Sequence, residues 1–161
     1  MHRLWDGAGL ALCVARESCL MYVLDTNTLI YYFKGQGQVA QNLANTPPQE
    51  IIISTIVIFE LQVGIAKSNS PLKRIQQLQQ LLSQVHQVDF DRDMAMAAAT
   101  IRAQLEQQGT PIGPMDILIA GTAVSLQATL VTHNVLSGRQ VAYNADRISL
   151  IALKPEVLND K

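Results

Sequence analysis

Three carboxylates stand where a protein could use them for chemistry. Asp25 closes the apolar run MYVL, Glu60 lies inside IIISTIVIFELQVG, and Asp116 lies inside PIGPMDILIAG. Each has an ordinary explanation to set against a functional one. An aspartate at the end of a strand often caps the next helix or makes an Asx-turn. Asp116 follows Pro114, which suits the first position of a helix, so its charge falls in the first turn where the helix dipole welcomes it.

Glu60 is harder to explain away. A capping-box glutamate lies three residues after its cap, and with Thr55 as cap that place belongs to Ile58. The neighbours of Glu60 are mostly Ile, Val, Phe and Leu, and an unpaired carboxylate buried among them would be costly. A stripe of solvent or an ion pair with a residue such as Arg102 would answer this, but a polar pocket answers it better.

The three acids gain meaning together. In a parallel sheet, ligands collect outside the carboxyl ends of the strands. All three acids are expected to converge there, and like charges so gathered repel unless a cation stands between them. Ligands that offer only oxygen favour Mg2+ or Mn2+. Such a site is suited to phosphodiester hydrolysis, in which a metal-bound water attacks phosphorus in line.

Other catalytic devices are missing from the sequence: it has no Gly-rich phosphate loop, no G-x-S-x-G elbow and no H-E-x-x-H. His86 falls in a strand and reads as a core or edge histidine. Met94, Met96 and Met115 read as core filler. Lys67, Lys73 and Arg74 surround a loop, as a solvated face or as contacts to RNA phosphates.

The elements that must position the acids alternate in type. Residues 21–24 form a first strand, followed by a helix over 27–34 that Gly35 and Gly37 break, and a short helix over 38–45. A continuous apolar strand over 51–53 follows, then a helix over 56–67 that is apolar on most sides, with Ser54 and Thr55 as good cap types. Leu72, Ile75, Leu78, Leu81 and Leu82 recur at helical spacing, 85–90 suits a third strand, and 91–108 a long alanine-rich helix. A helix over 115–126 and a strand over 129–132 complete an α/β domain whose mostly parallel sheet is covered on both faces.

Bulk properties set the limits. At 161 residues with 48% apolar composition, the chain has room for one domain and one sizeable core. Its net charge of −1 argues mildly against a general nucleic-acid binder, an objection that weakens if bound cations face the phosphate. The two cysteines, Cys13 and Cys19, have no zinc spacing and form no disulfide framework, so a reducing, cytoplasmic setting is expected. The apolar runs are too short for a membrane span. Residues 1–20 read as an extension ahead of a natural start at Met21, with Asp6, Arg16 and Glu17 interrupting any signal-like segment.

Taken in order, MYVLDTNTLIYYFKG, IIISTIVIFELQVGIAKS, IRAQLEQQGTPIGPMDILIAGTA and LVTHN resemble the VapC family of PIN-domain toxins. Each motif alone is weak; four in sequence are specific. The resemblance covers residues 21–134. It implies a three-layer α/β/α PIN-like fold and a cytoplasmic endoribonuclease using Mg2+ or Mn2+. It also implies a VapB-like antitoxin that blocks the site, a homodimer, and an RNA substrate such as tRNA or ribosomal RNA.

On that resemblance Asp25, Glu60 and Asp116 fall on the family's acidic metal-binding positions. Thr26 and Thr132 fall where a hydroxyl supports the cluster, and Asn134 on a position held by Asp or Asn. The domain is expected to run over 21–153, with 134–161 departing from the family's pattern. In that tail residues 148–153 stand in for the last strand, and Asp146 is the only nearby candidate for a fourth acid.

Two other readings stay open. A catalytically impaired module could bind antitoxin without cleaving RNA, and a nuclease of this kind could serve RNA processing outside a toxin system. A phosphatase of the haloacid-dehalogenase kind is disfavoured, because it needs a second Asp where this chain has Asn27.

Overall fold

A computed structural model describes residues 21–36 and 38–132, together with the backbone of strands 140–144 and 147–153. Asn134, Asp146, Gly37 and the 1–20 segment lie outside the described residues.

The chain begins with strand β1 (Tyr22–Leu24) and helix α1 (Thr26–Lys34). The helix starts one residue earlier than its apolar pattern suggests, because Asp25 caps it by accepting the Thr28 backbone N–H at 2.6 Å. It stops at Gly35, whose φ of 63° is a conformation that favours glycine. A short helix α2 (Val39–Ala44) and a 3-10 turn (Pro48–Glu50) lead into β2 (Ile51–Ser54).

Helix α3 (Thr55–Ala66) follows β2 with no loop, its cap being Ser54, whose hydroxyl accepts from the Val57 N–H. Thr55, the alternative cap, accepts the Phe90 N–H instead, at 3.2 Å. Strand β3 is confined to His86–Val88, Val88 pairing with Ser54, the last residue of β2 before the helix begins. Glu60 is then six residues beyond its true cap, even further from a capping role.

Helix α4 (Pro71–Leu82) buries Leu78 and Leu81, but Leu72, expected to start the same stripe, is 77% exposed in the first turn. Helices α5 (Arg92–Gln107) and α6 (Pro114–Ser125) precede β4 (Thr129–Val131). Met94 enters the core as expected, whereas Met96 on the opposite face of α5 is 59% exposed and fills nothing.

Four strands form one parallel sheet in the order β3-β2-β1-β4, with Val23 opposite both Ile52 and Leu130. Successive strand residues point to opposite faces. All four residues of β2 are buried, so both faces of the sheet are covered, giving three α/β/α layers. Strands β5 (Gln140–Asn144) and β6 (Arg147–Leu153) pair antiparallel in a separate two-stranded sheet. The 148–153 segment is therefore a strand, as expected, but it pairs with β5 and not with the parallel sheet. No helix among the described residues is long and apolar enough to cross a membrane.

The strand order fixes where a site can lie. The chain moves outward from β1 through β2 to β3, then crosses to the other side of β1 for β4. The order reverses between β1 and β4, and crevices outside the carboxyl ends of strands form at such a point.

Candidate active site

Asp25 leaves β1 at that point. Its own N–H is held by the Val131 carbonyl of β4 at 3.1 Å, so the residue is clamped between the two central strands. The residue is 3% exposed. Oδ1 accepts the Thr28 N–H at 2.6 Å, and Oδ2 accepts the Thr132 hydroxyl at 2.5 Å. Thr28 also donates its hydroxyl to the Val131 carbonyl at 3.2 Å, closing a small network across the β1 and β4 ends. The capping role of Asp25 is thus real, yet it occupies one oxygen only.

Glu60 reaches the same place from another element. The Thr26 hydroxyl, one residue beyond Asp25, donates to Glu60 Oε2. This joins α1 to α3 and sets the second carboxylate beside the end of β1. Glu60 is half-buried, and Arg102 is not its partner: that guanidinium pairs with Glu106 at 2.8 Å on the surface of α5. Neither Asp25 nor Glu60 has a Lys or Arg partner among the described residues.

Asp116 sits in the first turn of α6 and is half-buried. Gly113 caps that helix and contributes no side-chain hydrogen bond. Helix α6 leads back to β4, so its N-terminus belongs to the carboxyl end of the sheet, as the starts of α1 and α3 do. The three acids share that end, but they do not close into one cluster: among the described residues no three acidic, histidine or cysteine side chains gather at metal-holding distances. Thr26, the residue after Asp25, ties Glu60 to the end of β1, and Asp116 stands at the start of α6.

Thr132 lies just past β4 and serves Asp25 through its hydroxyl. A charge-assisted bond of this kind is worth about 1.5–3 kcal/mol when well shielded. Thr132 is half-exposed, so Thr132→Val should cost about 1.5 kcal/mol, the lower end of that range. Urea denaturation at neutral pH checks this, and Thr132→Ser, which keeps the hydroxyl, should recover most of the loss.

Residues 22–135 match the PIN domain. The "tRNA(fMet)-specific endonuclease VapC" of Salmonella typhimurium is 34% identical over 116 residues, covering 72% of this chain and 88% of that protein. The chain belongs to the PIN-domain family, in its VapC group. "Ribonuclease VapC2" of Rickettsia felis is 35% identical over 130 residues, covering 76% of this chain and 92% of that one.

Among solved structures of VapC proteins, DNA-bound VapBC from Salmonella typhimurium superposes with a TM-score of 0.67 at 34% identity, over 73% of this chain and 89% of that chain. VapBC2 from Rickettsia felis, bound to a DNA fragment from its promoter, gives 0.67 at 35% identity, over 73% and 90%. The PIN match ends at residue 135.

Two parts of this PIN domain escape sequence reasoning. Thr28 fastens Asp25 to β4 through its hydroxyl bond to the Val131 carbonyl, a contact 103 residues away along the chain that local spacing does not indicate. Arg74, read from sequence as a surface cation, donates to the Phe33 carbonyl at the end of α1 and to Gln77, each at 3.2 Å. Nothing in the local sequence indicates that long-range bond.

Proposed function

We propose that this PIN-domain chain is the toxin of a type II toxin–antitoxin pair: an endoribonuclease, dependent on Mg2+ or Mn2+, that hydrolyses RNA phosphodiester bonds. The Asp25 carboxylate carries this reading. It is almost fully buried at the switch point of the sheet, with one hydrogen bond to each oxygen and no basic partner among the described residues. A carboxylate offers about four lone-pair sites, so these two bonds leave about half of them unfilled. Burying such a charge without compensation is expensive. A hard cation offers the compensation that the protein itself withholds.

Asp25, Glu60 and Asp116 would hold the ion through oxygen alone, a donor set matched to Mg2+ or Mn2+. Bound there, such an ion would supply an acidified water and charge stabilisation at phosphorus. The chain's own residues fix the ligands. Thr28 and Thr132 orient the two oxygens of Asp25, Thr26 holds Glu60 against the end of β1, and the start of α6 carries Asp116. Asn134 lies two residues past Thr132, outside the described residues.

The names of the relatives favour a tRNA substrate, and the VapBC complexes among solved structures favour a VapB-like antitoxin as the partner that silences the site. Homodimerisation and a cytoplasmic setting belong to the same reading. The test is incubation of purified protein with total cellular RNA in Mg2+ or Mn2+ and in EDTA. Discrete fragments that disappear with EDTA are expected. A folded protein that leaves RNA intact under both metals would defeat the proposal and favour a module that binds antitoxin without cleaving.

A further inference from the structure

Gly113 occupies a position that glycine tolerates but that a capping side chain would serve slightly better. It caps α6, a place where Ser, Thr, Asp or Asn would satisfy an orphan N–H and stabilise the helix. Its backbone gives no reason for glycine either. With φ −59° and ψ 149° it is in an extended region open to any residue, the region that a following proline such as Pro114 imposes. What distinguishes the position is space. A Cβ added to Gly113 would lie 2.8 Å from Asp116 Oδ2 and 3.7 Å from its Cγ, with no other contact inside 4 Å.

The geometry points to Gly113 as a positioning residue for the Asp116 carboxylate. The glycine gives up a capping side chain and thereby leaves the volume that this carboxylate occupies above the first turn of α6. Any side chain at 113 meets the end of a movable group and not the backbone, so the carboxylate yields while the helix stays. The inference rests on the assignment of Asp116 as a metal ligand made above.

That mechanism separates stability from metal binding. Gly113→Ala should leave the melting temperature of metal-free protein within about 3 °C of the unsubstituted chain, since less than 1 kcal/mol is involved. Gly113→Ser should melt at the same temperature or higher, having gained a cap. Both should bind Mn2+ about 10–100-fold more weakly, the usual scale for disturbing the support of a metal ligand. Calorimetric titration with MnCl2 and the Mn2+-induced rise in melting temperature read this without any turnover. In an Asp116→Asn background, adding Gly113→Ala should change Mn2+ affinity no further, because the carboxylate through which it acts is gone.

Wild-type Mn2+ affinity in Gly113→Ala, with Asp116→Asn impaired, would overturn the positioning role and leave the metal assignment standing. Unaltered Mn2+ binding by Asp116→Asn would overturn both. A metal-free Gly113→Ala protein melting more than about 10 °C lower would show the backbone yielding instead of the carboxylate, and would also overturn the inference.

Discussion

Asp25→Asn should abolish RNA cleavage while leaving the protein folded and at least as stable as before. The two halves of this expectation come from different features of one side chain. Asparagine is as good a helix cap as aspartate, so its side-chain oxygen can keep the Thr28 N–H and hold α1 in place. Substitution also removes the charge of a residue that is 3% exposed and has no basic partner among the described residues, which relieves the metal-free protein. The same change takes away the anion that we propose as the central metal ligand. We expect a loss in cleavage rate of about 10²–10³-fold or more, at least what the loss of one preorganised electrostatic contact costs elsewhere.

Asp25→Ala separates the roles further. It should add a stability loss of about 0.5–2 kcal/mol through the missing cap. Circular dichroism, thermal melting and gel-based cleavage on the three proteins settle the matter. Cleavage by Asp25→Asn at the wild-type rate would remove Asp25 from the site.

Gly121→Ala should be the most damaging single-methyl change in the core. Alanine is favoured over glycine inside a helix by about 1 kcal/mol, so an exposed position would gain from it. Gly121, however, lies where α6 crosses α5. An added Cβ would stand 2.6 Å from Ala98 Cβ, 2.7 Å from the Met94 carbonyl oxygen and 2.8 Å from the Ala98 nitrogen. Two of these atoms are backbone within a helix, so relief requires the helices to separate and not a side chain to rotate.

Overpacking that moves backbone sits at the top of its usual cost range, and the net loss should be roughly 2–3 kcal/mol after the propensity gain. For a chain of this size that lowers the melting temperature by roughly 4–12 °C. Equal or higher stability of Gly121→Ala would mean that α5 and α6 are further apart than described. Since α6 carries Asp116, the variant should also lose activity more steeply with temperature.

The sheet and its order of elements were legible because their signals are local and strong. Residues 51–53 are continuously apolar, and β2 is indeed buried on both faces. Helix α1 was legible from its cap and its closing glycine, with an error of one residue at the start. Leu72 and Met96 were misread because an apolar residue at helical spacing says which face it lies on, not whether anything covers that face. The length of β3 could not be read locally, since the strand ends at Val88 opposite Ser54, where β2 turns into helix α3.

The candidate site divides in the same way. Asp25 and Glu60 stood out as acids among apolar neighbours, and both are held at the switch point as that pattern suggests. The identity of the holders, Thr28 above all, depends on which strand lies beside β1. Sequence spacing alone does not carry that. Gly113 gave no signal, because its significance is the volume of a neighbour's carboxylate.

The central claim is that a divalent cation binds at Asp25. Anomalous diffraction from crystals grown with MnCl2 tests it most directly, because it locates the ion without reference to activity. The account predicts an anomalous peak about 2 Å from a carboxylate oxygen of Asp25, with Glu60 and Asp116 in or next to its coordination sphere. Mn2+ peaks elsewhere on the protein with none at Asp25, or a lysine or arginine side chain filling that place, would contradict it.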